Sequence, residues 1–335
     1  MRSNERFPLI HEPTPLAEAP HLSRYLGGPR ILIKRDDLTG RVVGGNKIRK
    51  LEYLLADALR ADATHVVTGG GAQSNHAVQT AVCARMAGLE TVLVLSRPEP
   101  GLPCGNILLH RLLGVTPRYV DHYKPDDLER AMRDCCDRLT HEGFRPYHIP
   151  LGGSTTVGIR GYVDCWHEIG CQSRELDRPL AAIYSATGTG GTLAGLLLGY
   201  LAAPIQCRII GVDVGAIPGE GPLPRAEALV AEARGGACPS LPVELDRSQI
   251  GPGYARPGRE CLAAMRLFLR TEGLLLDPAY TGKAAAALVA DIRAGRWRSD
   301  ETVIFIHTGG AAGFFTEAMA AQLGGKVEGA KKREF

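Results

Sequence analysis

Ala181-Ala182-Ile183-Tyr184-Ser185-Ala186-Thr187-Gly188-Thr189-Gly190-Gly191-Thr192 runs from a short apolar strand into a glycine-rich turn, and the helical pattern of residues 192–202 follows at once. A strand that feeds a helix through so tight a turn is half of a parallel β–α–β unit. The same alternation recurs along the chain. Strands are expected at residues 31–34, 64–68, 90–95, 118–120, 146–149, 181–185, 208–214 and 302–307, with helical stretches such as 47–59, 75–87, 128–142 and 192–202 between them. The pattern predicts an α/β fold of two open, twisted, mostly parallel sheets flanked by helices. A strand ends and a helix begins near Gly152-Gly153-Ser154, which places a boundary there, with a second sheet from about residue 181 onward. Residues 216–258 are rich in Gly and Pro and read as loops around one helix at 223–233. Long loops in such folds are frequently functional.

Composition narrows the function classes. The 335 residues are 44% hydrophobic and 22% charged, with a net charge of +3, too weak to suggest nucleic acid or a membrane surface as partner. Lys331-Lys332-Arg333 is the one basic run and reads as a solvated tail. The charged start, Met1-Arg2-Ser3-Asn4-Glu5-Arg6, lacks the apolar segment of an export signal, and no apolar run approaches the roughly 20 residues of a membrane span. A soluble cytoplasmic protein is expected. Nine cysteines, scattered and without a C-x-x-C pair, suggest reduced thiols serving mostly as small core hydrophobes, and neither a disulfide framework nor a metal cluster.

Three glycine-rich turns follow expected strands, and in open α/β sheets such turns converge on one crevice at the carboxyl ends of the strands. In the first, Gly188, Thr189, Gly190, Gly191 and Thr192 offer backbone N–H groups, hydroxyls and the positive end of a helix, which together suit a phosphate. The turn is neither a Walker A loop nor a G-x-G-x-x-G dinucleotide fingerprint. The second, Thr68-Gly69-Gly70-Gly71-Ala72-Gln73-Ser74-Asn75-His76, caps a helix and suits a carboxylate. The third, His307-Thr308-Gly309-Gly310-Ala311-Ala312-Gly313, brings Thr308 to a strand end facing the same crevice. A lysine then stands where a surface charge would be odd: Lys47, directly after Gly44-Gly45-Asn46, opens an apolar helix. Lysine attacks aldehydes only when neutral, and its ordinary pKa is about 10.4. Burial in a cleft, or a nearby cation such as Arg49, would lower that value.

Taken together these motifs resemble the fold-type-II pyridoxal-phosphate enzymes, the tryptophan synthase β-like group, and within it the family of D-cysteine desulfhydrase and 1-aminocyclopropane-1-carboxylate deaminase. The resemblance spans nearly the whole chain, from Pro13-Thr14-Pro15-Leu16 to Gly309-Gly310. It is most specific in Lys34-Arg35-Asp36-Asp37, Gly44-Gly45-Asn46-Lys47 with Arg49-Lys50-Leu51-Glu52, Gln73-Ser74-Asn75-His76, and Asp277-Pro278-Ala279-Tyr280-Thr281-Gly282-Lys283. It implies that Lys47 carries pyridoxal 5'-phosphate as a Schiff base and moves the Cα proton, and that residues 188–192 form the phosphate cup. Asn75 would meet the cofactor's 3-oxygen, and Ser74 with Gln73 and Asn75 the substrate carboxylate. Tyr254 and Tyr280 match two active-site tyrosines. It also implies a homodimer, and a smaller domain at residues 51–159 set into a larger one made of 1–50 plus 160–335.

Deaminases of this family resemble one another in carrying Glu at the position of Thr281 and Leu at that of Thr308; this chain has Thr at both, as the desulfhydrases do. A carboxylate at the pyridine nitrogen strengthens the electron sink needed to open a cyclopropane, whereas a hydroxyl suffices when a good leaving group sits on Cβ. The expected reaction is therefore β-elimination from a small amino acid, D-cysteine first, giving pyruvate, sulfide and ammonia. The chain departs from the family pattern at Ala72, Val78, Thr155 and Thr156, expected near the substrate. L-cysteate or another β-substituted alanine is therefore an alternative substrate, ahead of ring-opening deamination, racemisation or dehydration. A non-catalytic ligand-binding module is disfavoured by Lys47, Ser74 and Tyr280. A dinucleotide oxidoreductase is disfavoured because Cys207-Arg208 stand where its ribose-binding acid should be, about 20 residues past the turn.

Overall fold

A computed structural model describes residues 6–324. Residues 1–5 of the charged start and the Lys331-Lys332-Arg333 run lie outside the described residues. The strands are β1 (Leu16–Glu18), β2 (Arg30–Lys34), β3 (His65–Gly70), β4 (Glu90–Ser96), β5 (Arg118–Val120), β6 (Pro146–His148), β7 (Leu180–Thr187), β8 (Arg208–Asp213), β9 (Val243–Asp246) and β10 (Thr302–Ile306). The first six helices are α1 (Pro20–Leu26), α2 (Asn46–Arg60), α3 (Asn75–Met86), α4 (Asn106–Leu112), α5 (Pro125–His141) and α6 (Arg160–Gln172). The rest are α7 (Gly191–Ala202), α8 (Leu223–Arg234), α9 (Arg259–Glu272), α10 (Thr281–Arg293) and α11 (Glu317–Gly324).

Two sheets result. One has six strands in the order β1-β2-β10-β7-β8-β9, and the other four in the order β5-β4-β3-β6. Every pairing is parallel except β1 with β2, where Leu16 faces Lys34. The strands of the smaller sheet all fall between His65 and His148, and those of the larger before and after that stretch.

Side-chain alternation explains the layers. Along β2 and β10, Ile31, Ile33, Val303 and Phe305 enter a core shared with α1, α9 and α10. Leu32, Ile304 and Ile306 point the other way, into a core with α6, α7 and α8. Both faces being covered, these strands read as unbroken apolar runs rather than as alternating ones. In the smaller sheet Val67 and Val94 pack on α5, while Val66 packs on α2 and α3. No helix among the described residues is long and apolar enough to cross a membrane.

The structure adds what the pattern did not predict. The stretch 216–258 contains α8 but also β9, whose Val-Glu-Leu-Asp sequence is only half-buried at the sheet edge and carries no apolar run. All nine cysteines are free thiols, but only Cys83, Cys135, Cys165 and Cys261 are buried. Cys136, Cys207 and Cys238 are partly buried and pack against the same cores, so most of the cysteines serve as core hydrophobes, as expected.

Candidate functional site

The carboxyl ends of β3, β7 and β10, the entry to α2 and the loop after β6 surround one cleft with about 750 Å³ of atom-free space, open to solvent at its mouth. It is lined by Lys47, Ser74, Asn75, residues 186–192, Tyr123, Tyr254, Tyr280 and Thr308, among others. The three glycine-rich turns therefore meet, as the strand-end rule requires.

Lys47 is the second residue of α2. Its approach is fixed by Gly44 at φ +66, where an added methyl would come 1.9 Å from the Asp37 carbonyl oxygen, so no other residue fits without moving the backbone. The Thr39 hydroxyl accepts from the Gly45 N–H at 2.8 Å, the Asn46 N–H donates to the Thr308 carbonyl at 3.0 Å, and Gln79 Nε2 donates to the Gly44 carbonyl at 2.5 Å. Burial brings the Lys47 amine down to about 8, so a useful fraction is neutral near physiological pH. Arg49 is not the cause. It stands two residues along, nearly opposite on the helix, and is only 2% exposed. There its guanidinium donates to both oxygens of Asp36 (2.8 and 2.9 Å), to both of Glu168 (2.8 Å each) and to the Thr14 hydroxyl (2.8 Å). Tyr162 also donates to Asp36 at 2.5 Å. Burial would raise the Asp36 carboxyl, but the Arg49 charge and these hydrogen bonds hold it below its ordinary value. Lys34 donates to Glu168 at 2.6 Å within the same network. The Lys34-Arg35-Asp36-Asp37 motif thus anchors α2 from the side away from the cleft.

The cation on the Lys47 face is Lys50, one turn along and 0% exposed. Burial, then the charges of Lys47 and Arg225, push its pKa well down. Its one hydrogen bond is to the Gly152 carbonyl at 3.1 Å, and no carboxylate among the described residues pairs with it. A methyl added at Gly191 would come 2.7 Å from Lys50 Nζ, so the amine stands against the start of α7. That start is itself short of partners. Gly190 (φ +85) is the N-cap residue and no side chain caps the helix, leaving its first N–H groups open. The Thr192 hydroxyl accepts from Asn46 Nδ2 at 3.0 Å, and Thr189 Oγ1 lies 2.7 Å from Ser154 Oγ. Charging a buried amine without a counter-ion is costly, and a phosphate on residues 188–192 would offset that cost for both Lys50 and the helix. Lys47 reaches the same place: a methyl on Gly152 would meet Thr189 Oγ1 at 2.6 Å and Lys47 Nζ at 3.6 Å. An amine and a phosphate cup in one cleft fit pyridoxal phosphate.

On the smaller-sheet side, Ser74 caps α3, its hydroxyl accepting from the Ala77 N–H at 3.1 Å. Asn75 Oδ1 accepts from Asn106 Nδ2 at 2.8 Å, which fixes the amide with its Nδ2 free to donate. His76 lies between Thr68, at 3.1 Å from its Nε2, and the two lysines. Burial first, then Lys47 and Lys50, push its pKa well down and keep it neutral. Gln73, expected at the substrate, does not line the cleft. Its Oε1 accepts from the Asn106 N–H at 2.8 Å and its Nε2 donates to the Cys104 carbonyl at 3.1 Å. Gln73 therefore positions Asn106, and through it Asn75.

Two buried charged residues hold the tyrosines. The Asp277 carboxylate accepts the N–H groups of Ala279, Tyr280 and Thr281 at 2.9, 3.0 and 2.7 Å, fixing the turn that carries Tyr280. Lys283 donates to the carbonyls of Val214, Ile250 and Gly253, fixing the loop that carries Tyr254. The Tyr254 and Tyr280 hydroxyls are hydrogen-bonded to each other, and burial lifts both pKa values so that both stay protonated. Thr308 lines the cleft. Thr281, expected beside it, does not: it is 0% exposed, and its hydroxyl donates to Asp277 Oδ1 and accepts from the Asp277 N–H, each at 2.7 Å. None of Ala72, Val78, Thr155 and Thr156 forms part of the cleft wall. Lys50, His76, Asp277 and Tyr123 went unremarked as site residues in the sequence. The three-residue spacing from Lys47 could have marked Lys50, whereas nothing local marks Tyr123.

Comparison with known proteins agrees with this geometry. The profile of the family described as "Pyridoxal-phosphate dependent enzyme" matches residues 8–309. The D-cysteine desulfhydrase of Serratia proteamaculans is 41% identical over 318 residues, covering 92% of this chain and 95% of that one. The D-cysteine desulfhydrase of Yersinia enterocolitica is 40% identical, with 92% and 95% covered. A crystal structure of an "ACC deaminase homologue" superposes with a TM-score of 0.85 at 39% identity over 93% of each chain. A fungal L-serine ammonia-lyase from Rhizomucor miehei shares the fold, with a TM-score of 0.69 at 17% identity over 93% of this chain and 98% of that one.

Proposed function

We propose, from the premise that this chain belongs to the pyridoxal-phosphate-dependent enzymes, that it is a lyase removing the β-substituent of a small amino acid, with D-cysteine as the preferred substrate and pyruvate, sulfide and ammonia as products. The observation that carries this reading is the placement of the Lys47 amine, at about 8, in one cleft with the open start of α7 and the Ser74–Asn75 cap of α3. Relatives about 40% identical over 92% of the chain bear the name D-cysteine desulfhydrase, which favours D-cysteine among β-substituted alanines.

Lys47 is the residue that would hold the cofactor covalently, with Lys50, Thr189 and the N–H groups of residues 188–192 on its phosphate. What bound pyridoxal phosphate supplies is an electron sink for charge developing at Cα. Asn75 Nδ2 and the N-terminal end of α3 donate to anionic oxygens, and Ser74 sits where a substrate carboxylate would be received. Lys47 would also be the group placed to take the Cα proton as a neutral amine, a role its lowered pKa suits. The protonated Tyr254 and Tyr280 act as hydrogen-bond donors and not as bases. Thr308 contributes a hydroxyl and no negative charge, which fits a reaction with a good leaving group better than ring opening.

A pyruvate assay over D-cysteine, L-cysteine, L-cysteate, D-serine and 1-aminocyclopropane-1-carboxylate tests the proposal. D-cysteine should give the highest kcat/KM. A higher value for L-cysteate would overturn the assigned substrate, and product from the cyclopropane alone would overturn elimination. As part of the same reading, residues 51–159 form a smaller domain within one made of 1–50 plus 160–335, and the chain is a cytoplasmic homodimer. Nine free thiols suit a reducing compartment, and sedimentation equilibrium reads the subunit number directly.

A further inference from the structure

Three phenols line the cleft, and they differ in what already occupies their hydroxyls. Tyr254 and Tyr280, both from the larger-sheet side, are hydrogen-bonded to each other. Tyr123 comes from the opposite wall, in the loop between β5 and α5 of the smaller sheet. Its ring centroid lies 5.1 Å from that of Tyr254 at an interplanar angle of 31°, so the two side chains meet across the mouth. The ring also lies over the Ser74 turn, where a methyl added at Gly71 would reach its Cδ2 at 3.8 Å. The Tyr123 hydroxyl makes no hydrogen bond among the described residues. Burial raises its pKa, with Arg225 opposing and Glu129 adding to the rise, so the group remains a donor. A half-buried phenol with no protein acceptor among the described residues, above a site that must receive a polar side chain, has its donor free for a ligand.

We propose that Tyr123 is a specificity-determining residue that reads the β-substituent of the substrate, its hydroxyl donating a hydrogen bond to a leaving group that gathers negative charge. The inference rests on the elimination reading above. In that reaction the Cα–H bond breaks with its proton passing to Lys47, the pair left behind forms the Cα=Cβ bond, and the Cβ–S pair passes to sulfur, so that the substituent leaves as HS⁻. Tyr123 keeps its proton and only stabilises that charge. A donor placed to act there is worth more in the transition state than in the ground state. The preferred class of substrate is therefore a β-substituted alanine whose leaving atom becomes a hydrogen-bond acceptor as it gathers negative charge, such as the sulfur of a thiol. A halide, which leaves readily without a donor, gains little.

The test compares wild-type holoenzyme with Tyr123→Phe, which keeps the ring against Tyr254 and removes only the oxygen. Elimination from D-cysteine and from β-chloro-D-alanine is followed by pyruvate. Binding of D-alanine, which has no β-substituent, is followed by the change it causes in cofactor absorbance. The expected result is a loss of about tenfold or more in kcat/KM on D-cysteine, with β-chloro-D-alanine turnover and D-alanine affinity each within about threefold. Equal loss on both eliminating substrates, as a packing role would give, overturns the proposal. So does an unchanged rate on D-cysteine. Wild-type enzyme that eliminates neither substrate fails the parent reading instead, and the assignment of Tyr123 falls with it.

Discussion

The Lys50 amine lies one helical turn beyond Lys47, 0% exposed, and its one hydrogen bond among the described residues is to the Gly152 carbonyl 3.1 Å away. Lys47 and Lys50 are therefore two amines on one face of α2 with different surroundings: one in the open cleft, one sealed against the start of α7. Replacing Lys50 by Met should leave a protein that folds, since a buried amine without a carboxylate partner is being replaced by an apolar side chain of similar length. It should hold pyridoxal phosphate about ten- to a hundredfold less tightly, the loss of a charge-assisted contact to phosphate. Fluorescence titration of the apoenzyme measures this, and unchanged affinity would contradict the role.

Capture of the cofactor should follow the neutral fraction of Lys47. Its pKa is lowered to about 8, so the neutral form grows as pH rises through that value. Below it, the rate at which apoenzyme combines with pyridoxal phosphate should rise about tenfold per pH unit, and it should level off above it. An ordinary lysine would go on gaining until about pH 10. Stopped-flow absorbance from pH 6 to about 10 distinguishes the two.

Asp36 lies beneath α2, with Arg49 and Tyr162 both donating to it. Asp36→Ala would leave Arg49 buried with Glu168 as its only carboxylate partner. A cost of about 3–5 kcal/mol is expected. Because the Asp36 carboxyl is held below its ordinary value, its contribution is present at neutral pH and is lost as pH falls through that depressed pKa. Urea unfolding at pH 7 should show the difference between wild type and variant, and the difference should shrink in acid.

Gly44→Ala should harm both stability and cofactor capture, since the new methyl would stand 1.9 Å from the Asp37 carbonyl oxygen in the approach to Lys47. Gly40→Ala is the control: its φ of +87 is equally left-handed, but nothing lies within 4 Å of the added methyl. The control should lose about 1–2 kcal/mol, for backbone strain alone. Gly44→Ala should lose more than that in urea, and should bind the cofactor more weakly.

The parts of this molecule that the sequence discloses are those fixed by local chemistry. β7 and β10 are legible because burial on both faces makes them largely apolar and free of charge, and the turn at residues 188–192 because glycine marks a helix start without a side-chain cap. Lys47 is legible from Gly44-Gly45-Asn46 before it. What is not legible depends on partners distant in the chain. Gln73 sits beside Ser74 and suggests a substrate ligand, yet Asn106 and Cys104 take both ends of its amide. Thr281 stands next to Tyr280, yet Asp277 takes its hydroxyl. Arg49 looks like a cation that could tune Lys47, yet helical geometry turns it toward Asp36 and Glu168, and burial alone lowers the Lys47 pKa. Tyr123 reaches the cleft only because the smaller sheet folds over the larger.

The central claim is that Lys47, of the lysines near this cleft, is the one joined to the cofactor. Borohydride reduction of the yellow holoenzyme fixes that link, and peptide mass spectrometry then locates it. The account predicts the reduced pyridoxyl group on Lys47, with Lys50 unmodified. The group on Lys50, or on any lysine outside the cleft, would contradict it.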